Sequence, residues 1–378
     1  MKDKKEKILI LFEGQWLAYS PTVIQLYNEL IKKYEVSIFA EKPRGNQLPL
    51  NNVYYFQYDS SSKRYVYKLM FIFLSIFNSG LKYFKFTNNN YQDYFFRFLF
   101  IKKLLKRNRY KKVICVDIKN LVFCSILKTR CDFLSLEICI NENLLPYVNT
   151  GIIDRVIIQR QDRYGYLFKN IKLPVFFVQN APVYTEVNVS RVKKNLIFTG
   201  TINKEFGIFY CLEYLKQFKD ETLILLGGMN DAVKQEVNTL YADLIKENRL
   251  IIDNRYLDND DVVNFISNCE MGFCLYNFDT AWVKNFNYQT APSGKVFKYL
   301  AAGVPVICND IAGFDFVRSF ECGELLTDMS PISIREAASK IRAKYNVYVE
   351  NAKRAAKHFS FDKAIQPYLD YVDSGNQE

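Results

Sequence analysis

The sequence predicts an α/β protein built from two doubly wound domains, each a parallel sheet covered by helices on both faces. Three observations carry this. Short apolar runs of strand length alternate with helix-period segments along almost the whole 378-residue chain, the pattern of repeated βαβ units. The alternation pauses once, at the polar, proline-containing stretch Asn180–Ser190, and restarts at Asn195-Leu-Ile-Phe-Thr-Gly200. The length and a hydrophobic content of 49% suffice for two separate cores.

In the first half, strands are expected at 8–12, 36–40, 53–57, 112–116, 154–159 and 174–178, with helices at 21–33, 64–78, 92–107 and 119–128. In the second, strands are expected near 195–199, 222–227, 249–252, 271–276 and 304–308. Helices are expected there near 205–218, 230–246, 260–268, 294–302 and 332–344. The domains are then 1–180 and 193–345, joined by a linker at 181–192. A helical, amphipathic segment at 346–378 is expected to cross back to the first domain. Open α/β sheets bind ligands at the carboxyl ends of their strands, so a cleft between two such domains is the expected site.

Composition narrows the function. Charged residues are 24% of the chain, an ordinary globular fraction. The net charge of +11 suits an anionic partner: nucleotide phosphates, nucleic acid or an anionic membrane face. No helix-turn-helix, zinc or RNA-binding signature accompanies it, so nucleic acid is not expected. The nine cysteines are scattered, without Cys-x-x-Cys, and several lie inside apolar runs. They read as buried free thiols of a reducing compartment, and a cytoplasmic location is expected. A single histidine, His358, leaves no histidine-based metal cluster and no Ser-His-Asp triad near the middle of the chain. The longest apolar stretch, 65–77, contains Lys68 and falls short of the roughly 20 residues of a spanning helix.

The chemistry concentrates in Ala291-Pro-Ser-Gly-Lys-Val-Phe-Lys-Tyr-Leu-Ala-Ala-Gly-Val-Pro-Val-Ile-Cys-Asn-Asp310. It reads as a loop, a short helix, a glycine stop and a buried strand. Ser293 is placed as N-cap and Gly303 at the C-terminal turn. Free amides at the helix start, the helix dipole and Lys295 together make a phosphate site; the alternative is an ordinary capped helix with a solvated lysine.

This stretch resembles the donor-site signature of GT-B glycosyltransferases, family 4 and its group 1 relatives, through Pro292, Lys295, Tyr299, Ala301, Gly303, Pro305, Val306, Ile307, Asp310 and Gly313. The resemblance implies the GT-B fold, two Rossmann-like doubly wound domains facing a cleft. It also implies transfer of a sugar from a nucleoside diphosphate donor. One departure stands out. The family's paired acidic residues fall at Thr290 and Lys298, and a lysine cannot accept hydrogen bonds from ribose hydroxyls.

Asn195–Gly207 resembles the family's next landmark, a strand followed by a glycine loop with a basic residue. Gly200, Thr201 and Lys204 are its donor-side candidates, Lys204 either meeting the diphosphate or standing as an exposed loop lysine. Thr222-Leu-Ile-Leu-Leu-Gly-Gly228 and the strand end at Tyr276 and Asn277 complete the set, with Gly228, Ser293, Gly294 and Lys298. In the first domain, Gly14, Gln15 and Trp16 join the first strand to the first helix. Trp16 either stacks on a sugar or anchors the loop. Asp117 and Arg163 follow later strands and are candidates for the acceptor side. Segment 95–112 interleaves eight basic residues with apolar ones. It reads either as an amphipathic helix on an anionic leaflet or as a solvated basic face over the core.

The expected protein is therefore a metal-independent glycosyltransferase without a cofactor, using a UDP- or GDP-sugar. Its acceptor is a hydroxyl of a glycan or lipid-linked glycan, in bacterial polysaccharide assembly. Lys295 and Lys204 are expected to stabilise the leaving diphosphate electrostatically. The alternatives are a non-catalytic GT-B subunit partnering an active transferase, which the residue at Lys298 fits, and a nucleotide-sugar epimerase.

Overall fold

The computed structural model describes residues 5–43, 50–56, 69, 91–138, 142–169, 171–187, 194–255, 257, 259–280 and 285–374. The helix expected at 64–78 and the greater part of the 65–77 apolar stretch lie outside the described residues, as does Cys139. The chain divides into two compact units, Met1–Val178 with Ile365–Glu378, and Gln179–Ala364.

The first unit is built on a seven-stranded sheet. Its strands are β1 (Lys7–Leu11), β2 (Glu35–Glu41), β3 (Val53–Phe56), β4 (Lys112–Val116), β5 (Cys131–Leu134), β6 (Ile153–Ile158) and β7 (Val175–Phe177). They lie in the order β3-β2-β1-β4-β5-β6-β7, and each neighbouring pair is parallel. Helices α1 (Pro21–Leu30), α2 (Tyr91–Arg107), α3 (Asp117–Leu127) and α4 (Gln161–Phe168) make crossovers between the strands. Parallel strands need such crossovers, and their near-continuous apolar sequence follows from burial on both faces. Four of the five residues of β1 and all of β4 are buried.

The second unit repeats the plan with six strands: β8 (Asn195–Thr199), β9 (Thr222–Leu226), β10 (Leu250–Asp253), β11 (Met271–Cys274), β12 (Val306–Asn309) and β13 (Gly323–Leu326). The order is β10-β9-β8-β11-β12-β13, again parallel throughout. Its helices are α5 (Ile208–Gln217), α6 (Asp231–Leu240), α7 (Ala242–Lys246), α8 (Asn259–Ile266), α9 (Phe286–Thr290), α10 (Gly294–Ala301), α11 (Asp315–Phe320), α12 (Pro331–Ala343) and α13 (Tyr345–Phe359). In each sheet the strand order reverses beside the first strand, at β1/β4 and at β8/β11. A crevice opens at the carboxyl ends of strands where the order reverses.

Two strands escape the apolar pattern. β5 carries Asp132 in its centre, and β13 is the short edge sequence Gly-Glu-Leu-Leu. Remote groups compensate Asp132 in part, while its Oδ1 is buried without a hydrogen bond. The Tyr368 hydroxyl donates to it at 2.9 Å, and the Lys112 ammonium lies 4.0 Å away. Tyr368 belongs to the last helix, α14 (Phe361–Ser374), most of which belongs to the first unit. Residues 346–364 stay with the second unit, so the return to the first unit begins about one turn inside α14 rather than at 346.

Candidate functional site

In the second unit, helix α10 begins beside the β8/β11 reversal. Three features hold it there. The Tyr299 hydroxyl is fully buried; it accepts the Thr199 N–H at 2.8 Å and donates to the Phe273 carbonyl at 3.1 Å, tying both strands to the helix. Gly272 leaves the space for that ring, since a Cβ there would lie 2.6 Å from it. Gly294, the first residue of α10, backs onto Asn180, where a Cβ would meet the amide nitrogen at 2.7 Å.

Ser293 occupies the N-cap position without capping, because its side chain turns towards Tyr276 and Cys274. The first amides of α10 therefore keep their donors free of a side-chain cap, which is the condition for an anion seat. Lys295 reaches back over the end of β8. Its Nζ lies 4.3 Å from the Phe198 ring centroid and 5.0 Å from that of Phe206, and its Cε lies 4.0 Å from where a Gly200 Cβ would stand. Burial holds the Lys295 ammonium below its ordinary pKa, and burial does the same to Lys298 one turn on. Among the described residues neither lysine has a carboxylate partner. Lys295 thus stands as a desolvated cation at an open helix start, and Lys298 lies in the last turn of the same short helix.

The loop under Lys295 is tightly built. Gly200 has φ +91°, its N–H donates to the Leu226 carbonyl, and Gly227, at φ +141°, approaches so closely that a Cβ would lie 2.1 Å from the Gly200 oxygen. Only glycine fits such contacts at positive φ. The close approach belongs to Gly227. The expected Gly228 is exposed, with open space around it, and contributes its carbonyl to the Ile202 N–H. Thr201 is exposed. Lys204 is also exposed and pairs with Glu236 at 2.7 Å, so its charge is already engaged.

Tyr276 is buried against Phe206, Phe278, Tyr288 and Phe314, and burial pushes its phenol well above the ordinary range. It is a neutral wall, fixed by Asn309, whose side chain takes the Tyr276 N–H at 2.5 Å and donates to its carbonyl at 3.2 Å. A cavity of about 480 Å³ opens at the ends of β11 to β13, lined by Tyr210, Tyr276, Phe278 and Asn309. Asn277 shapes the turn beside it, accepting the Asp279 N–H at 3.0 Å and the Tyr210 hydroxyl at 3.1 Å.

In the first unit, Gly14 has φ +93° and lies under the Trp16 indole, where a Cβ would stand 2.5 Å from Nε1. Trp16 packs edge-on to Phe12 at 4.6 Å and remains 36% exposed, and Gln15 is half-buried in the same turn. Asp117 opens α3 with φ +59°, a conformation that costs a non-glycine residue energy and collects at functional sites. Its carboxylate accepts the N–H groups of Leu136 at 2.8 Å and Glu137 at 3.1 Å. Burial nevertheless outweighs them and pushes it up to about 8, helped by the nearby Glu137 and Glu13 carboxylates. Arg163 cannot meet an acceptor: its side chain is fully buried and its guanidinium donates to the Leu136 carbonyl at 2.8 Å. It buttresses the same turn that Asp117 holds.

No family model matches the sequence, and no curated protein matches it either. Solved structures do. WaaG, a glycosyltransferase involved in lipopolysaccharide biosynthesis, superposes with a TM-score of 0.61 at 11% identity, covering 98% of this chain and 100% of that one. The fold is GT-B. A glycosyltransferase from Rickettsia africae ESF-5 gives a TM-score of 0.64 at 13% identity over 99% of each chain. A UDP-N-acetylglucosamine 2-epimerase described as putative, from Listeria monocytogenes, shares the GT-B plan too, with a TM-score of 0.60 at 13% identity, covering 98% of this chain and 96% of that one. Within this GT-B chain, most residues of the sequence signature turn out to be architectural. Tyr299 ties strands, and Gly303 ends α10 at φ +65°. Gly313 lets a turn rest on the Ala291 carbonyl, 2.8 Å from where its Cβ would be. Phe198, Phe206, Gly227 and Asn309 join the site unannounced. Two aromatic residues carry little signal in a chain with 31 Phe, and Gly227 is not distinguishable from Gly228 by sequence.

Proposed function

We propose that the chain is a glycosyltransferase that moves a sugar from a nucleoside diphosphate sugar to a hydroxyl group. The observation that carries this is Lys295, half-buried and without a carboxylate partner among the described residues, in the first turn of an uncapped helix whose last turn holds a second such cation, Lys298. A diphosphate supplies the missing negative charge. As the glycosidic bond breaks, charge grows on the departing diphosphate, and fixed cations and amides stabilise that change. Lys295 is the nearer to Gly200 and takes the principal role; Lys204, already paired, is secondary. A UDP or GDP donor, a glycan or lipid-linked acceptor and a place in bacterial surface-polysaccharide assembly complete the reading. The GT-B likeness to a lipopolysaccharide glycosyltransferase supports the last of these.

Because the GT-B plan is shared with an epimerase, the reaction needs its own test. A panel of nucleotide sugars is screened for thermal stabilisation, since a ligand bound only by the native state raises the melting temperature. The stabilising donor is then incubated with the protein, and released nucleoside diphosphate and sugar are measured. Slow donor hydrolysis is expected in the absence of acceptor. Epimerised donor would assign the site to epimerisation. Binding with neither product would make the chain a non-catalytic subunit.

A further inference from the structure

We propose that Cys115, Cys124 and Cys131 form a three-sulfur site for a soft, thiophilic metal ion, with monovalent copper as its physiological type. The three residues come from β4, α3 and the first position of β5, and nothing in glycosyl transfer uses them. All three are fully buried, and their Sγ atoms lie within 4.8 Å of one another, with Cys115 and Cys124 at 3.3 Å. They are reduced and unbridged.

Ligand chemistry selects the ion. Thiolates prefer soft metals such as copper(I), zinc and iron–sulfur clusters. Structural zinc and iron–sulfur clusters are ordinarily held by four protein ligands. Among the described residues this group contains only three. The sole histidine, His358, belongs to the other unit, and Asp132 alternates to the opposite face of β5 from Cys131. A three-coordinate copper(I) ion fits. With a metal–sulfur bond of about 2.3 Å, as for zinc thiolates, planar three-coordination sets the sulfurs about 4 Å apart. Small outward shifts of the Cys115–Cys124 pair reach that spacing. Thiols give up protons on binding a metal, so retention of the ion should strengthen as pH rises. Bound metal would join β4, α3 and β5 directly behind Asp117, two residues after Cys115.

The test is an anaerobic titration of the reduced, full-length chain with copper(I), against a coloured copper(I) chelator that strips weak surface sites. The expected result is one retained ion per chain, the luminescence of a solvent-shielded copper(I)–thiolate centre and a raised melting temperature. Cys124→Ala and Cys131→Ala lose the luminescence, whereas Cys274→Ala/Cys308→Ala keeps it. Copper-edge X-ray absorption on the wild type decides the matter without relying on variants, with three sulfur neighbours expected. Failure of the folded wild type to retain copper, luminescence surviving in both Cys124→Ala and Cys131→Ala, or a shell of nitrogen, oxygen or two sulfurs would overturn the proposal.

Discussion

The Tyr299 hydroxyl serves two strands at once, so its loss isolates the effect of one hydrogen-bonding atom. Tyr299→Phe leaves the buried Thr199 N–H and Phe273 carbonyl short of a partner. The expected cost is about 1–3 kcal/mol of unfolding free energy, the penalty for orphaned buried polar groups, read from urea melts. An unchanged midpoint would show that the strand ends relax around the gap. Lys298 poses the opposite problem, a cation where the GT-B signature has an acid. Lys298→Glu replaces a cation by a carboxylate one turn from the proposed diphosphate seat, so UDP and GDP should bind more weakly. Tighter binding of either nucleotide by this variant would mean that the site still favours an acid there. Both residues sit in the one stretch whose chemistry was legible from sequence. What was not legible is which neighbour finishes each contact, because Phe206 and Asn180 reach the site from distant segments.

At the scale of elements, strands with unbroken apolar runs, such as Ile8–Leu11 and Leu223–Leu226, were readable because burial on both faces dictates their composition. β5 was not, since the hydrogen bond that Asp132 receives comes from Tyr368, 236 residues away in sequence. Helix α2 divides the basic segment 95–112 in a way that spacing alone left open. Arg97 faces the core and pairs with Glu41 at 2.6 Å, and Lys112, on β4, is buried against Asp154 at 3.4 Å. Lys102, Lys103, Lys106 and Arg107 remain exposed over buried Phe98, Ile101 and Leu104. Among the described residues no helix is long and apolar enough to cross a membrane. Each exposed cation near an anionic surface contributes about 1 kcal/mol, so four support reversible attachment. The protein is expected to co-sediment with phosphatidylserine-containing vesicles at low salt and to leave them as salt rises. Changing the four residues to Gln should abolish sedimentation while nucleotide binding persists. Indifference of the wild type to such vesicles at low salt would reduce this face to a solvated surface.

For the molecule as a whole, two buried carboxyl groups among the described residues make stability fall as pH rises above the acid range. Burial raises Asp117 to about 8 and Asp132 to about 6, both above the ordinary value of 3.8. Each binds its proton more tightly in the folded state, so its stabilising effect is complete below about pH 4 and is lost as pH rises through the folded value. Between pH 6 and 8 Asp117 dominates, and stability should fall by up to about 1.4 kcal/mol per pH unit. Asp117→Asn, which keeps an acceptor for the Leu136 and Glu137 amides, should flatten that decline; an equally steep decline in the variant would assign it to other groups. The doubly wound plan of both units was readable from their alternation, whereas the exact ownership of the C-terminal helix was not, because a helix signals its apolar face but not its partner. The central claim is the diphosphate seat at Gly294–Lys298, and equilibrium titration of UDP and GDP into wild-type and Lys295→Ala protein tests it most directly. The wild type should bind at least one of the two. Lys295→Ala should bind that nucleotide about 1.5–3 kcal/mol more weakly, the scale of a charge-assisted hydrogen bond, with its fold unchanged. Equal affinity in the two proteins would contradict the account.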